Sequence, residues 1–177
     1  MFMFRPIRLQ LLQQKHPTAW VQFETGVITE EELIKSFFLD DRPVDRHGLV
    51  EMMVDSYRYI EGMEPLLKTL SDAGYEVHAC SNYPIWYKYI EEKLEISKYL
   101  DWTYISCEGP MKGFRKPSAQ CFQTVLKHSG RPASQHIFID DRNQNVHAAR
   151  EAGLTGILFQ GDASTLITDL REAGVDL

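Results

Sequence analysis

HIFIDDRNQN, residues 136–145, runs from an apolar segment straight into two adjacent carboxylates. Ile137, Phe138 and Ile139 read as a buried strand, Asp140 and Asp141 end it, and Asn143 and Asn145 lead into a helical pattern. In open α/β sheets, ligands sit outside the carboxyl ends of the strands. Neighbouring anions repel, and at a strand end they are stable together chiefly around a cation. The stretch therefore reads first as a metal site at the rim of a parallel sheet.

Working outward, the same strand-then-helix phrase repeats from residue 75 onward. YEVHAC (75–80) is a strand that delivers Ser81 and Asn82, and Pro84 starts the next helix. WTYISC (102–107) is a second strand, followed by a loop over 108–116 and a helix opened by Pro117. The 136–145 stretch and a strand over 156–159 complete four β–α units, which require a parallel sheet with crossover helices. Right-handed crossovers put Ser81, the 108–116 loop and Asp140/Asp141 on one rim. Residues 1–60 read as helical throughout, with a Leu9–Leu12 stripe and a capping box at Thr29–Glu32. Phe37 and Phe38 continue the second of these helices, and a third runs from Leu49 to Ile60. The expected division is a helical segment over 1–60 and an α/β core over 61–177.

The bulk properties bound the function. A formal charge of −6 argues against a general nucleic-acid or anionic-membrane surface. Cys80, Cys107 and Cys121 are odd in number and far apart, which fits a reducing compartment and no zinc site. No apolar run reaches the ~18 residues of a membrane span. The expectation is a soluble intracellular protein of the cytoplasm or an organelle stroma such as the chloroplast, not a secreted one. The first 23 residues carry Arg5, Arg8 and Lys15 and no acid, which suits either a basic helix face or a remnant of a targeting segment.

The rim residues make a chemical set. The Ser81 hydroxyl and the Asn82 amide can bond phosphate oxygens, and Lys116 adds a point charge before a Pro-started helix. Asp140 and Asp141 offer hard oxygen ligands to Mg²⁺, which takes one or two carboxylates with waters and a substrate phosphate. Together they describe a phosphoryl cradle for a small phosphorylated metabolite. Each piece has a plainer reading: Ser-Asn as a turn, Lys-Pro as a helix start, and Asp-Asp as a solvated loop, as at Asp40–Asp41. Their order along one rim is what favours the cradle.

Here the chain resembles the haloacid dehalogenase superfamily of hydrolases, in its phosphatase subfamily with a small helical cap. CSNYP (80–84) resembles the second motif of the family, GFRKP (113–117) the third and FIDDRNQN (138–145) the fourth. GMEPLLKTLSDAGYEVHACSN (62–82) and VHAAREAGLTGILF (146–159) match its usual phrasing, and WVQFETGVITEEEL (20–33) resembles part of the cap. The resemblance implies a Rossmann-like parallel sheet under an N-terminal helical cap. It also implies Mg²⁺ held by Asp140 and Asp141, phosphoryl oxygens held by Ser81 and Lys116, and hydrolysis of phosphomonoesters. The phrasing is similar to plant-type flavin mononucleotide phosphatases, which implies that substrate. Trp20, Phe23, Tyr57, Tyr59, Tyr83, Trp86 and Tyr87 are then either a stacking surface for a planar leaving group or plain core.

One motif does not match. The first motif of the family is an aspartate nucleophile with a general acid–base aspartate two residues on, ending a central strand. No Asp-x-Asp occurs in the 177 residues, and the first acid of any kind is Glu24. The missing strand would lie between those of 75–80 and 137–139, and its loss would open two strand edges. The expectation is a truncated form of a longer hydrolase, inactive as written. The alternative is a non-catalytic phosphate-binding or interaction module on the same fold. A receiver domain places its paired acids first and its lysine last, the reverse of the order here. Dehalogenation would leave Asp140–Asp141 without a purpose.

Overall fold

The computed structural model describes residues 16–177, so the Leu9–Leu12 stripe lies outside the described residues. Among the described residues three short helices come first: α1 (Ala19–Glu24), α2 (Glu30–Lys35) and α3 (Arg46–Ser56). The Thr29 side chain accepts from the Glu32 N–H while the Glu32 carboxylate accepts from the Thr29 N–H, so the expected capping box starts α2. Two expectations fail nearby. Helix α2 stops at Lys35, with Phe37 in a bend and Phe38 in a single bridge beyond it, and α3 stops at Ser56, leaving Tyr57 extended. In both places the aromatic spacing reflects burial and not helix, since Phe37 and Tyr57 are core residues reached through irregular backbone.

The α/β half follows in the expected order: α4 (Met63–Asp72), β1 (His78–Ser81), α5 (Tyr87–Leu94), β2 (Asp101–Ile105), α6 (Ala119–Ser129), β3 (Ile137–Asp140), α7 (Asn143–Glu151), β4 (Thr155–Leu158) and α8 (Ala163–Glu172). Strand β1 begins three residues later than read, because Gly74 takes a left-handed φ of +82 and its successors close the helix instead of pairing. Helix α6 begins at Ala119, not at Pro117, with the Ser118 hydroxyl accepting the Gln120 N–H.

Among the described residues the strands pair in parallel, in two separate ladders. Strand β1 pairs with β2 through Cys80↔Tyr104 and Ser81↔Ile105, and β3 pairs with β4 through Ile137↔Thr155 to Asp140↔Leu158. Among the described residues no ladder joins β1 to β3. That interruption falls where the sequence placed the missing central strand.

Among the described residues three apolar clusters hold the elements together. Leu66 and Leu70 of α4 meet Leu166 and Leu170 of α8 beside Ile157. Cys121, Phe122 and Val125 of α6 pack against Phe138 and Ala149, with the Phe122 and Phe138 rings edge to face at 5.1 Å. The third cluster unites Ala19, Phe23, Leu33, Phe37 and Tyr57 with Trp86, Ile90, Ile96 and Ile105. Residues of the N-terminal helices thus share one core with α5 and β2.

Candidate functional site at the strand ends

Lys116 is the centre of the site. Its Nζ lies 2.7 Å from Asp140 Oδ2, at the end of β3, and also donates to the Cys80 carbonyl on β1. One ammonium therefore bridges the two ladders at their carboxyl ends. The Phe138 ring lies 5.3 Å from the same nitrogen. The lysine and aspartate side chains are only 9% and 4% exposed, so this is a buried ion pair.

The backbone under Lys116 is clamped by Asn82. The Lys116 N–H donates to Asn82 Oδ1 at 2.8 Å, and Asn82 Nδ2 donates to the Lys116 carbonyl at 2.9 Å. Asn82 thus spends its amide on the lysine loop, which differs from the phosphate contact expected of it. Ser81, one residue earlier, makes no side-chain hydrogen bond among the described residues, and its half-buried hydroxyl is available to a ligand.

Asp140 is fixed from the other side. Its Oδ1 accepts from the Arg142 N–H and from Asn145 Nδ2, both at 2.9 Å. Burial raises its carboxyl, but the Lys116 ammonium and these two donors outweigh that, holding it below the ordinary carboxylate range. Asn145 thus supports Asp140 from the start of α7. Its own Oδ1 is buried with no partner among the described residues. Asp141 is exposed at the rim. Among the described residues no group of three His, Cys, Asp or Glu side chains gathers. Two carboxylates and one unpartnered amide oxygen are nevertheless an oxygen-only donor set, which suits Mg²⁺ with water and a phosphate completing it.

The aromatic residues divide. Phe23, Tyr57, Tyr83, Trp86 and Tyr87 are all buried, so the stacking reading fails for them and the core reading stands. Trp86 takes the edges of Trp20 at 5.9 Å and Phe23 at 5.2 Å. The aromatic that the structure does expose beside the lysine is Phe114, 40% accessible. Sequence reading passed over it, although it stands in GFRKP two residues before Lys116.

Comparison with known proteins bears on this geometry. Residues 10–153 match the profile of the haloacid dehalogenase-like hydrolases. The chain belongs to that family. It is 46% identical over 168 residues to a chloroplastic flavin mononucleotide hydrolase of Arabidopsis thaliana, covering 95% of this chain and 67% of that protein. The chain thus spans about two thirds of the length of that relative. Among solved structures, a haloacid dehalogenase-like hydrolase of Porphyromonas gingivalis superposes with a TM-score of 0.71 at 16% identity, covering 95% of this chain and 85% of the other. A family enzyme of Bacteroides thetaiotaomicron, in complex with magnesium and inorganic phosphate, superposes with a TM-score of 0.66 at 24% identity, covering 84% and 78%. The fold is therefore the haloacid dehalogenase-like α/β fold.

Proposed function

We propose that the rim formed by Ser81, Lys116, Asp140 and Asp141 is the phosphate and Mg²⁺ cradle of a phosphomonoester hydrolase, with residues 16–60 serving as its cap. The observation that carries this reading is the Lys116 ammonium, held on the Asp140 carboxylate where the two ladders meet. A phosphoryl group placed there meets the lysine charge and the free Ser81 hydroxyl. Asp140, Asp141 and the Asn145 amide oxygen would hold Mg²⁺, which when bound offsets charge on the phosphoryl oxygens. Lys116 holds a phosphoryl oxygen while its ammonium stays seated on the Asp140 carboxylate. Asn82 keeps the lysine loop from moving as charge develops.

The attacking group is not among these residues. Among the described residues no base hydrogen-bonds to the Ser81 hydroxyl, and Asp140 already accepts from three donors. The 177 residues contain no Asp-x-Asp. Turnover then requires a carboxylate delivered by a further strand between β1 and β3, and without it the cradle binds phosphate and does not hydrolyse. Likeness to the Arabidopsis hydrolase supports flavin mononucleotide as the substrate, and its chloroplastic character supports a plastid setting.

The test compares two proteins with Mg²⁺ against flavin mononucleotide, phosphoglycolate, sugar phosphates and nucleotides. One is the 177-residue chain, and the other is the same chain preceded by an apolar strand ending in Asp-x-Asp. Hydrolysis by the second only, fastest on flavin mononucleotide, is expected. Equal rates on all substrates would remove the flavin preference, and no hydrolysis by either would remove the phosphatase reading.

A further inference from the structure

Glu24 is a carboxylate buried for no evident structural need. It ends α1, its side chain is 10% exposed, and it lies 91 residues from its partner, Arg115. Its Oε2 accepts from Arg115 Nη2 at 2.6 Å, and its Oε1 accepts from the Trp20 indole N–H at 2.5 Å. Its backbone carbonyl accepts from the fully buried Ser106 hydroxyl, which in turn accepts the Tyr83 N–H at 3.1 Å. Immediately beyond, Gly26 has a φ of +67 and presses on the Cys107 carbonyl, which would stand 2.4 Å from any Cβ. The end of α1 is thus stitched to the core at three successive points.

What it is stitched to matters. Arg115 is covalently next to Lys116, and the Arg142 charge also reaches Glu24, one residue past Asp141. Burial raises the Glu24 carboxyl more than the Arg115 guanidinium and the Trp20 donor lower it. A buried ion pair with that balance contributes little net stability, and its best-attested use is to fix one arrangement among several. The Arg115 Nε is itself buried with no partner among the described residues, so the guanidinium is held from one end only.

We propose that Glu24 and Arg115 are a positioning pair, through which the docking of the N-terminal helices sets the Lys116 ammonium on Asp140. The carboxylate holds the guanidinium, the guanidinium holds the Arg115–Lys116 backbone against the Asn82 clamp, and the clamp aims the lysine. Glu24 touches neither substrate nor metal in this scheme. The proposal rests on the phosphate-cradle reading for its functional consequence, but the coupling itself does not need it.

The experiment uses the 177-residue protein and Glu24→Gln, Arg115→Met and Arg115→Lys. Two quantities are read: amide hydrogen exchange of the segment 113–118 against the segment 137–140, and the affinity for inorganic phosphate in saturating Mg²⁺. Glu24→Gln and Arg115→Met should each speed exchange over 113–118 at least tenfold while leaving 137–140 unchanged. Each should also weaken phosphate binding at least tenfold, and Arg115→Lys should recover part of both losses. Unchanged exchange over 113–118 overturns the proposal. So does a rise of equal size in both segments, which would mark general loosening. If the unaltered protein binds no phosphate, the cradle reading falls, and exchange still decides the positioning pair.

Discussion

Replacing Lys116 by methionine keeps the length of the side chain and deletes its charge. The consequence can be worked from the contacts. Asp140 would stay nearly inaccessible, having lost its only charged partner among the described residues. Removing one member of a buried ion pair costs roughly 3–5 kcal/mol. Asp140 Oδ1 keeps its two donors, the Arg142 N–H and Asn145 Nδ2, which places the loss near the lower bound, about 3 kcal/mol. For a chain of this size that corresponds to a drop in Tm of about 6–12 °C. Adding Asp140→Asn removes the stranded charge while an amide oxygen still accepts from the same two donors. The double variant should then regain about 2 kcal/mol relative to the sum of the single losses, within the usual range for contacting residues. Urea unfolding followed by circular dichroism, with m values unchanged between variants, measures all four corners of the cycle. A Lys116→Met variant within about 0.5 kcal/mol of the unaltered protein, or strict additivity in the double variant, would refute the buried pair as the organising contact of the site.

Other outcomes follow from neighbouring contacts. Ser106→Ala leaves the Glu24 carbonyl and the Tyr83 N–H without their shared partner in a fully buried position, and should cost about 1–3 kcal/mol by the same unfolding assay. Burial pushes the Tyr59 hydroxyl up to about 12 from an ordinary 10, with Glu64 and other nearby charges adding to the effect. The folded form therefore holds that proton more tightly than the unfolded form, so stability is full below pH 10 and falls as pH rises toward 12. Tyr59→Phe should flatten alkaline unfolding in that window. Burial also raises the Cys107 thiol to about 11 and the Cys121 thiol to about 12, so neither should react with a thiol reagent at pH 8 until the protein unfolds.

Much of the site could be read in the sequence because its logic is local. Asp140, Lys116, Ser81 and Asn82 each follow a recognisable strand or precede a helix start, and parallel topology brings strand ends together whatever lies between them. Their roles were harder to assign. That Asn82 would spend both amide atoms on the Lys116 backbone depends on loop geometry that no spacing rule fixes. The strand limits drifted for a related reason: Tyr75 and Val77 look like strand residues, but Gly74 turns the chain and the ladder begins only at His78. Phe37 and Phe38 had helical spacing by accident of burial. The Glu24–Arg115 contact was not legible at all. Glu24 stood out only as the first acid in the chain, and nothing local ties it to a guanidinium on a loop beyond β2. Among the described residues, the break between the two ladders lies where the absent first motif would stand.

The phosphate cradle is tested most directly by titrating inorganic phosphate into the 177-residue protein in saturating Mg²⁺, in parallel with Ser81→Ala. Ser81 carries no structural hydrogen bond among the described residues, so this substitution should leave Tm unchanged. The account predicts saturable, Mg²⁺-dependent binding of one phosphate, weakened about tenfold by Ser81→Ala, as fits the loss of one hydrogen bond to a charged group. Absence of binding, or binding indifferent to both Mg²⁺ and Ser81, would contradict it.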